Sequence, residues 1–131
     1  MRVLKEALLL SPNEAALHHS LGLAKVRSGE VDAAVESLCR ASELEPTVGG
    51  YVYIYAIALN STGRGKQAIR VLEQATQDHP AHRDILYALA TMGYDQGQID
   101  LARAAAQQLV QLAPHVQQYQ SLLNSLTSFH P

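Results

Sequence analysis

The sequence predicts an all-α protein, a stack of antiparallel helical hairpins forming one domain over residues 1–131. Three observations predict it. Prolines fall at Pro12, Pro46, Pro80 and Pro114, each 34 residues from the last. Glycines at Gly29, Gly63 and Gly97 keep the same step, and so do alanines at Ala34, Ala68 and Ala102. Two further series, Leu4, Leu38 and Leu72 with Ala106, and Ala7, Ala41 and Ala75 with Leu109, hold the register along most of the chain. Several residue types in one register exclude coincidence. A self-similar period of this length marks supersecondary units that bury their apolar faces on one another.

Each unit reads as a helix, a turn at the glycine, a second helix and a turn at the proline. Glycine accepts the left-handed conformation that ends a helix, and proline breaks one helix but suits the start of the next. Residues 1–12 read as the remnant of a second helix, with Leu4, Ala7 and Pro12 in register. Its first-helix partner precedes the sequence, so the chain is expected to begin inside a longer repeat protein or at an added Met1. Repeat 1 spans 15–48, repeat 2 spans 49–82 and repeat 3 spans 83–116. First helices are expected over 14–27, 49–61 and 83–95, and second helices over 31–44, 65–78 and 99–112. Tyr51 to Leu59 is rich in tyrosine and isoleucine, which favours a strand locally, but the period places a helix there. Small residues, Gly22, Ala56 and Ala90 on first helices and Ala34, Ala68 and Ala102 on second helices, are expected where the two helices of a hairpin cross closely. Residues 117–131 form a capping segment, with a helix from His115 to Phe129. Its polar residues Gln117, Gln118, Gln120 and Asn124 face water, and Leu122, Leu123 and Leu126 cover the last hairpin.

These residues resemble the signature of the tetratricopeptide repeat, which runs Trp, Leu-Gly, Tyr, Ala, Phe, Ala, Pro. Leu21-Gly22, Ala34, Leu38, Ala41 and Pro46 match in repeat 1. Tyr55-Ala56, Leu59, Ala68, Leu72, Ala75 and Pro80 match in repeat 2, and Leu86, Leu89-Ala90, Ala102, Leu109 and Pro114 in repeat 3. The tryptophan place holds His18, Val52 and Leu86, and the tyrosine place holds Lys25, Leu59 and Gly93. The resemblance implies a right-handed superhelical solenoid whose first helices line a concave groove. A fainter likeness is to the repeat tails of bacterial multihaem-cytochrome-like proteins. The chain contains no Cys-x-x-Cys-His, so any haem lies outside it.

Composition narrows the function. Apolar residues make up 47% of the chain, enough to build a packed core. The formal net charge is -2 with no long run of one sign, which argues against nucleic acid. The longest apolar stretch, Val48 to Leu59, is too short to span a bilayer, and no signal peptide is visible. A soluble protein is expected, in the cytoplasm or the periplasm. The single cysteine, Cys39, has no partner for an internal disulfide and reads as a structural thiol beside Leu38. His18 and His19 diverge by about 100° on a helix, and His79 and His82 flank a turn, so no metal site is expected. There is no phosphate loop, no Cys-x-x-Cys and no His-Glu-x-x-His. No enzyme activity and no cofactor are expected.

A binding function is expected instead. In a tetratricopeptide stack the groove places of repeat 1 are His19, Leu23 and Val26. Those of repeat 2 are Tyr53, Ile57 and Asn60, and those of repeat 3 are Tyr87, Thr91 and Tyr94. The aromatic ones suit a binding surface, and they equally suit packing against adjacent helices with a hydroxyl in water; Tyr55 falls on a packing place. Chaperone-binding family members grip a peptide carboxylate with Lys and Asn at places that hold His19 and Leu23 here, so that clamp is absent. The expected partner is a protein or peptide segment. The alternative is a structural module that packs on another domain of a longer chain, or pairs two copies through the N-terminal helix.

Overall fold

A computed structural model describes residues 1–128 of the chain. Among them are eight helices and no strand: α1 (Arg2–Leu10), α2 (Ala15–Arg27), α3 (Val31–Leu44), α4 (Gly49–Ser61), α5 (Gly65–Asp78), α6 (Arg83–Asp95), α7 (Ile99–Leu112) and α8 (Gln117–Thr127). The six helices of the three full repeats lie within one residue of the expected bounds. Tyr51 to Leu59 is helical. The capping helix is shorter than expected, because Pro114, His115 and Val116 form the turn before it and it closes at Thr127. Phe129 and the rest of the expected capping segment lie outside the described residues.

Both kinds of turn repeat in atomic detail. Gly29, Gly63 and Gly97 have φ of 81°, 81° and 76°. The residue after each donates back across the helix end: Glu30 N–H to Lys25 O (2.8 Å), Arg64 N–H to Leu59 O (2.9 Å) and Gln98 N–H to Gly93 O (2.8 Å). The glycine amide itself reaches Val26, Asn60 or Tyr94 O. This pair of bonds satisfies carbonyls that a helix end leaves open, and only a left-handed residue closes it. At the other turns, Ser11, Glu45 and Ala113 precede proline and take extended φ of -137°, -133° and -142°. Their carbonyls accept from Glu14, Val48 and Val116 N–H at 3.1–3.2 Å, with the proline at the second place of the turn.

The chain divides into two compact units, Met1–Ala68 and Ile69–Pro131. In the first, α1 packs on α2, α2 on α3, and α3 on α4. Its core is Ala34, Leu38, Ala41, Ala56 and Leu59, all without solvent exposure. In the second, α6 packs on α7 and α7 on α8. Leu72, Ile85, Leu86, Ala90, Ala102, Ala106, Leu109 and Leu126 are buried there.

The close approaches differ from the simple pairing of small residues. At Gly22 the nearest neighbour is Leu38: a Cβ there would stand 2.5 Å from Leu38 Cδ2 and 2.6 Å from Cγ. At Gly93, a place where the family carries tyrosine, a Cβ would stand 3.3 Å from Ala102 Cβ. Alanine is favoured over glycine inside a helix by about 1 kcal/mol, whereas overpacking a core costs about 1–3 kcal/mol. Leu38 is fully buried. Gly22→Ala is therefore expected to lower the melting temperature by several degrees, while Gly93→Ala leaves it unchanged or raises it. Thermal denaturation followed by circular dichroism checks the pair; equal melting of both variants would mean that Leu38 repacks freely.

Candidate functional site

In the first unit, α2 and α4 carry six of the nine groove-place residues. Leu23, Val26 and Ile57 come together. They line an apolar cleft of about 220 Å³ with Val31 and Leu38 of α3, and Ile54, Ala58 and Ser61 of α4. No charged side chain lines it. The Ser61 hydroxyl donates to Ile57 O at 2.9 Å, so the one polar group of the lining keeps only acceptor capacity. A cavity of about 150 Å³ with aliphatic walls admits a benzene ring, so this cleft has room for one large apolar side chain. Val26 and Asn60 are exposed, and His19, Leu23, Tyr53 and Ile57 are half-buried.

His19 does not stand free on this face. Its ring lies 4.6 Å from that of Tyr51, tilted by 34°. Its Nδ1 is buried without a hydrogen-bond partner, and burial holds its pKa below the usual histidine value. Tyr51 was not singled out from the sequence. The signal is a pair of register places: residue 5 of one repeat meets residue 3 of the next. The same pair recurs in the second unit, where Tyr87 and Tyr119 stand 6.3 Å apart, tilted by 45°.

In the second unit, α6 carries Tyr87, Thr91 and Tyr94. Tyr94 is 48% exposed. The Thr91 hydroxyl donates to Tyr87 O (3.0 Å) and Ala88 O (3.2 Å), which turns it back on its own helix. The Tyr87 hydroxyl accepts from Gln118 Nε2 at 3.1 Å. Arg83 lies over the Tyr119 ring, its guanidinium carbon 5.8 Å from the centroid. Arg83, Gln118 and Tyr119 therefore belong to this face, although the groove register of α6 alone does not include them.

A second, polar cleft of about 800 Å³ lies in the first unit, lined among others by Lys25, Glu36, Arg40, Cys39 and Tyr55. Lys25, at a tyrosine place, donates to the buried Ser37 hydroxyl at 3.1 Å. Arg64 pairs with Asp32 at 3.3 Å. The mixed charges give this cleft no single preference. The histidines separate as expected: His18 Nε2 bonds Pro12 O at 2.7 Å while His19 turns to Tyr51. His82 caps α6 by accepting from Ile85 N–H. Among the described residues no group of three His, Cys, Asp or Glu side chains is placed to hold a metal ion, and no helix is long and apolar enough to cross a membrane.

Two tetratricopeptide repeat family models match the chain, one over residues 15–48 and one over 59–126, the latter more than half of its length. No curated protein matches. Among solved structures, a crystal structure of MamA superposes with a TM-score of 0.84 at 23% identity, over 97% of this chain and 74% of that one. MamA of Desulfovibrio magneticus RS-1 gives a TM-score of 0.80 at 24% identity, over 97% and 72%. The first tetratricopeptide domain of Spaghetti (RPAP3), bound to the HSP90 peptide SRMEEVD, gives 0.74 at 12% identity, over 87% and 93%. At these identities the likeness is one of fold.

Tyr55, on a packing place, is 9% exposed. Burial, and then its hydrogen bond to Cys39, push its pKa up from 10.0 to about 12. Burial likewise raises the Cys39 thiol, which favours its protonated form. In the unfolded chain Tyr55 titrates near its ordinary value of about 10. Between about pH 10 and 12 the unfolded state binds fewer protons than the folded one, so stability falls as pH rises, by up to about 1.4 kcal/mol per unit. Below that window the contribution is fully present. Urea titrations across it should show a shallower decline for Tyr55→Phe than for the parent; parallel declines would place the tyrosinate in solvent.

Proposed function

Because the chain belongs to the tetratricopeptide repeat family, we propose that it is a protein-interaction module that takes a segment of a partner on the faces of its first helices. The carrying observation is the apolar cleft between α2 and α4, where Leu23, Val26 and Ile57 meet. Binding there draws on burial of apolar surface, about 25 cal/mol per Å² before the costs of association. His19, Tyr53 and Asn60 form its surround, and Tyr87, Thr91 and Tyr94 provide the corresponding face of the second unit. Tyrosine gives large contact area at low entropic cost, which suits it to such surfaces. The RPAP3 domain, of the same fold, is bound to the HSP90 peptide SRMEEVD. Burial favours the protonated thiol of Cys39, and the His19 ring lies against Tyr51.

A second reading rests on α1. Val3, Leu9 and Leu10 are 74%, 84% and 87% exposed, an apolar side far more open than any other helix of the first unit presents. It suits packing on another domain of a longer chain or on a second copy. Sedimentation over a range of concentrations separates these: Leu9→Glu with Leu10→Glu abolishes a mass increase that comes from pairing of copies.

The main reading is tested with a partner isolated by affinity capture from the source cell. Leu23→Ala with Ile57→Ala is expected to weaken calorimetric binding by about 2 kcal/mol or more, the threshold of an interface hot spot, with the helical circular dichroism spectrum retained. Tyr53→Ala with Tyr87→Ala is expected to act in the same direction. Unchanged affinity in both variants would move the binding surface off these faces and favour the reading through α1.

A further inference from the structure

His19 joins two hairpins. It lies on α2 with its ring 4.6 Å from that of Tyr51 on α4, while α3 packs on both helices. The pair stands beside the apolar cleft. Leu23 follows His19 by one helical turn, Ile54 follows Tyr51 by one turn, and both line the cleft. The rings therefore tie the two walls together one turn before Leu23 and Ile54. This tie suits only a neutral imidazole. His19 Nδ1 is buried without a hydrogen-bond partner. A neutral ring can leave a lone pair there, but an imidazolium must place a charged N–H donor at the same point. The attraction of a cation for a tyrosine face is too small to offset a buried charged donor without an acceptor. The charges of the surrounding helices stand elsewhere. α4 carries no charged residue from Gly49 to Ser61, and its titratable groups are the hydroxyls of Tyr51, Tyr53 and Tyr55. On α1, Arg2 and Glu6 pair with each other and Lys5 is exposed. On α3, Asp32, Glu36, Arg40 and Glu43 line the polar cleft with His18, not the apolar one. On α2 itself, Lys25 bonds Ser37 and Arg27 is exposed, as is Glu14 ahead of the helix. Burial alone accounts for the lowered pKa of His19.

We propose that the His19–Tyr51 pair is a pH-sensitive latch on the apolar cleft, closed while the imidazole is neutral and opened by its protonation. In the closed form the rings hold α2 against α4 beside Leu23 and Ile54. Protonation parts the rings to bring Nδ1 into water, and that water reaches the adjoining end of the cleft. An apolar side chain seated there loses part of its dry contact. The sign follows from the burial of Nδ1. The latch is closed at pH above the ordinary histidine value of 6.5 and opens as pH falls below it. An occupant of the cleft favours the closed form and, by linkage, holds the proton off by the same factor. The latch rests on reading the cleft as a binding site, and the arms of the experiment separate the two.

The test uses the full chain and toluene, the side-chain group of phenylalanine, which suits a cleft of about 220 Å³. NMR follows the methyl groups of Leu23, Ile54 and Ile57 and the His19 ring from about pH 8 to about pH 5, the range over which histidine titrates. Without toluene, the Leu23 and Ile54 methyls are expected to shift with the same midpoint as the His19 ring, below 6.5; this arm needs no variant. Toluene is expected to bind saturably at the alkaline end of the range. Its affinity is expected to weaken toward the acid end by up to about tenfold per pH unit, the limit for one linked proton. His19→Phe keeps a ring and removes the titration, so its affinity is expected to hold at both ends. His18→Gln is expected to keep the dependence of the parent. Acid loss of equal size in His19→Phe would overturn the latch, as would methyls that ignore the His19 midpoint. Toluene that binds equally throughout the range would overturn the latch alone. Methyls that toluene leaves unmoved even at the alkaline end would overturn the cleft as a binding site, and the latch with it.

Discussion

The hydrogen bond that crosses each left-handed glycine, from Glu30 to Lys25, Arg64 to Leu59 and Gln98 to Gly93, sets the direction in which the second helix leaves the first. Within the first unit that direction lays α3 along α2, with Leu38 filling the space that Gly22 leaves open. Within the second it lays α7 along α6, with Ala102 against Gly93. The side chains at these crossings follow from the turn: two helices that start so close have no room for two large residues at the same level. One crossing pairs nothing with a leucine and the other pairs nothing with a methyl group.

The faces turned away from these crossings inherit a fixed backbone and a free choice of side chain. Residue 5 of a repeat meets residue 3 of the next, as His19 meets Tyr51 and Tyr87 meets Tyr119. The backbone contact is the same, yet one pair buries an imidazole nitrogen and the other supports a guanidinium. At residue 9, Leu23 and Ile57 open into an apolar cleft, whereas Thr91 bonds back to its own helix. One register thus supports an apolar cleft in one unit and an arginine–tyrosine contact in the other.

The period made the helices and their ends legible in the sequence, because Gly29, Gly63 and Gly97 and the prolines mark them by a physical requirement that no other residue meets as well. The bounds of α2 to α7 follow from that alone. The convergence of Leu23, Val26 and Ile57 follows from it too, since it needs only the face of each helix. What stayed out of reach depends on contacts between side chains of different helices. Tyr51 lies two residues before a groove place and Tyr119 at the matching register of α8, and a period counted along one helix does not reveal which neighbouring ring they meet. Arg83 gains its place only through Tyr119 on another helix. The crossing partners of Gly22 and Gly93 were missed for the same reason: register identifies small residues but not which atoms oppose them. The start of α8 was drawn too early because the turn at Pro114 consumes His115 and Val116.

α4 carries no charged residue from Gly49 to Ser61. In the folded chain this suits a helix with one side on the core and one side in an apolar cleft. Before folding it has another consequence. Tyr51 to Leu59 is a nine-residue window of tyrosine, valine, isoleucine, alanine and leucine, without proline or charge, and such windows pair readily as strands between molecules. Local helical contacts form faster than pairing between distant strands. The glycine turn at Gly63 and the helices on either side therefore also act in kinetics, by withdrawing an aggregation-prone window into a helix before two chains meet.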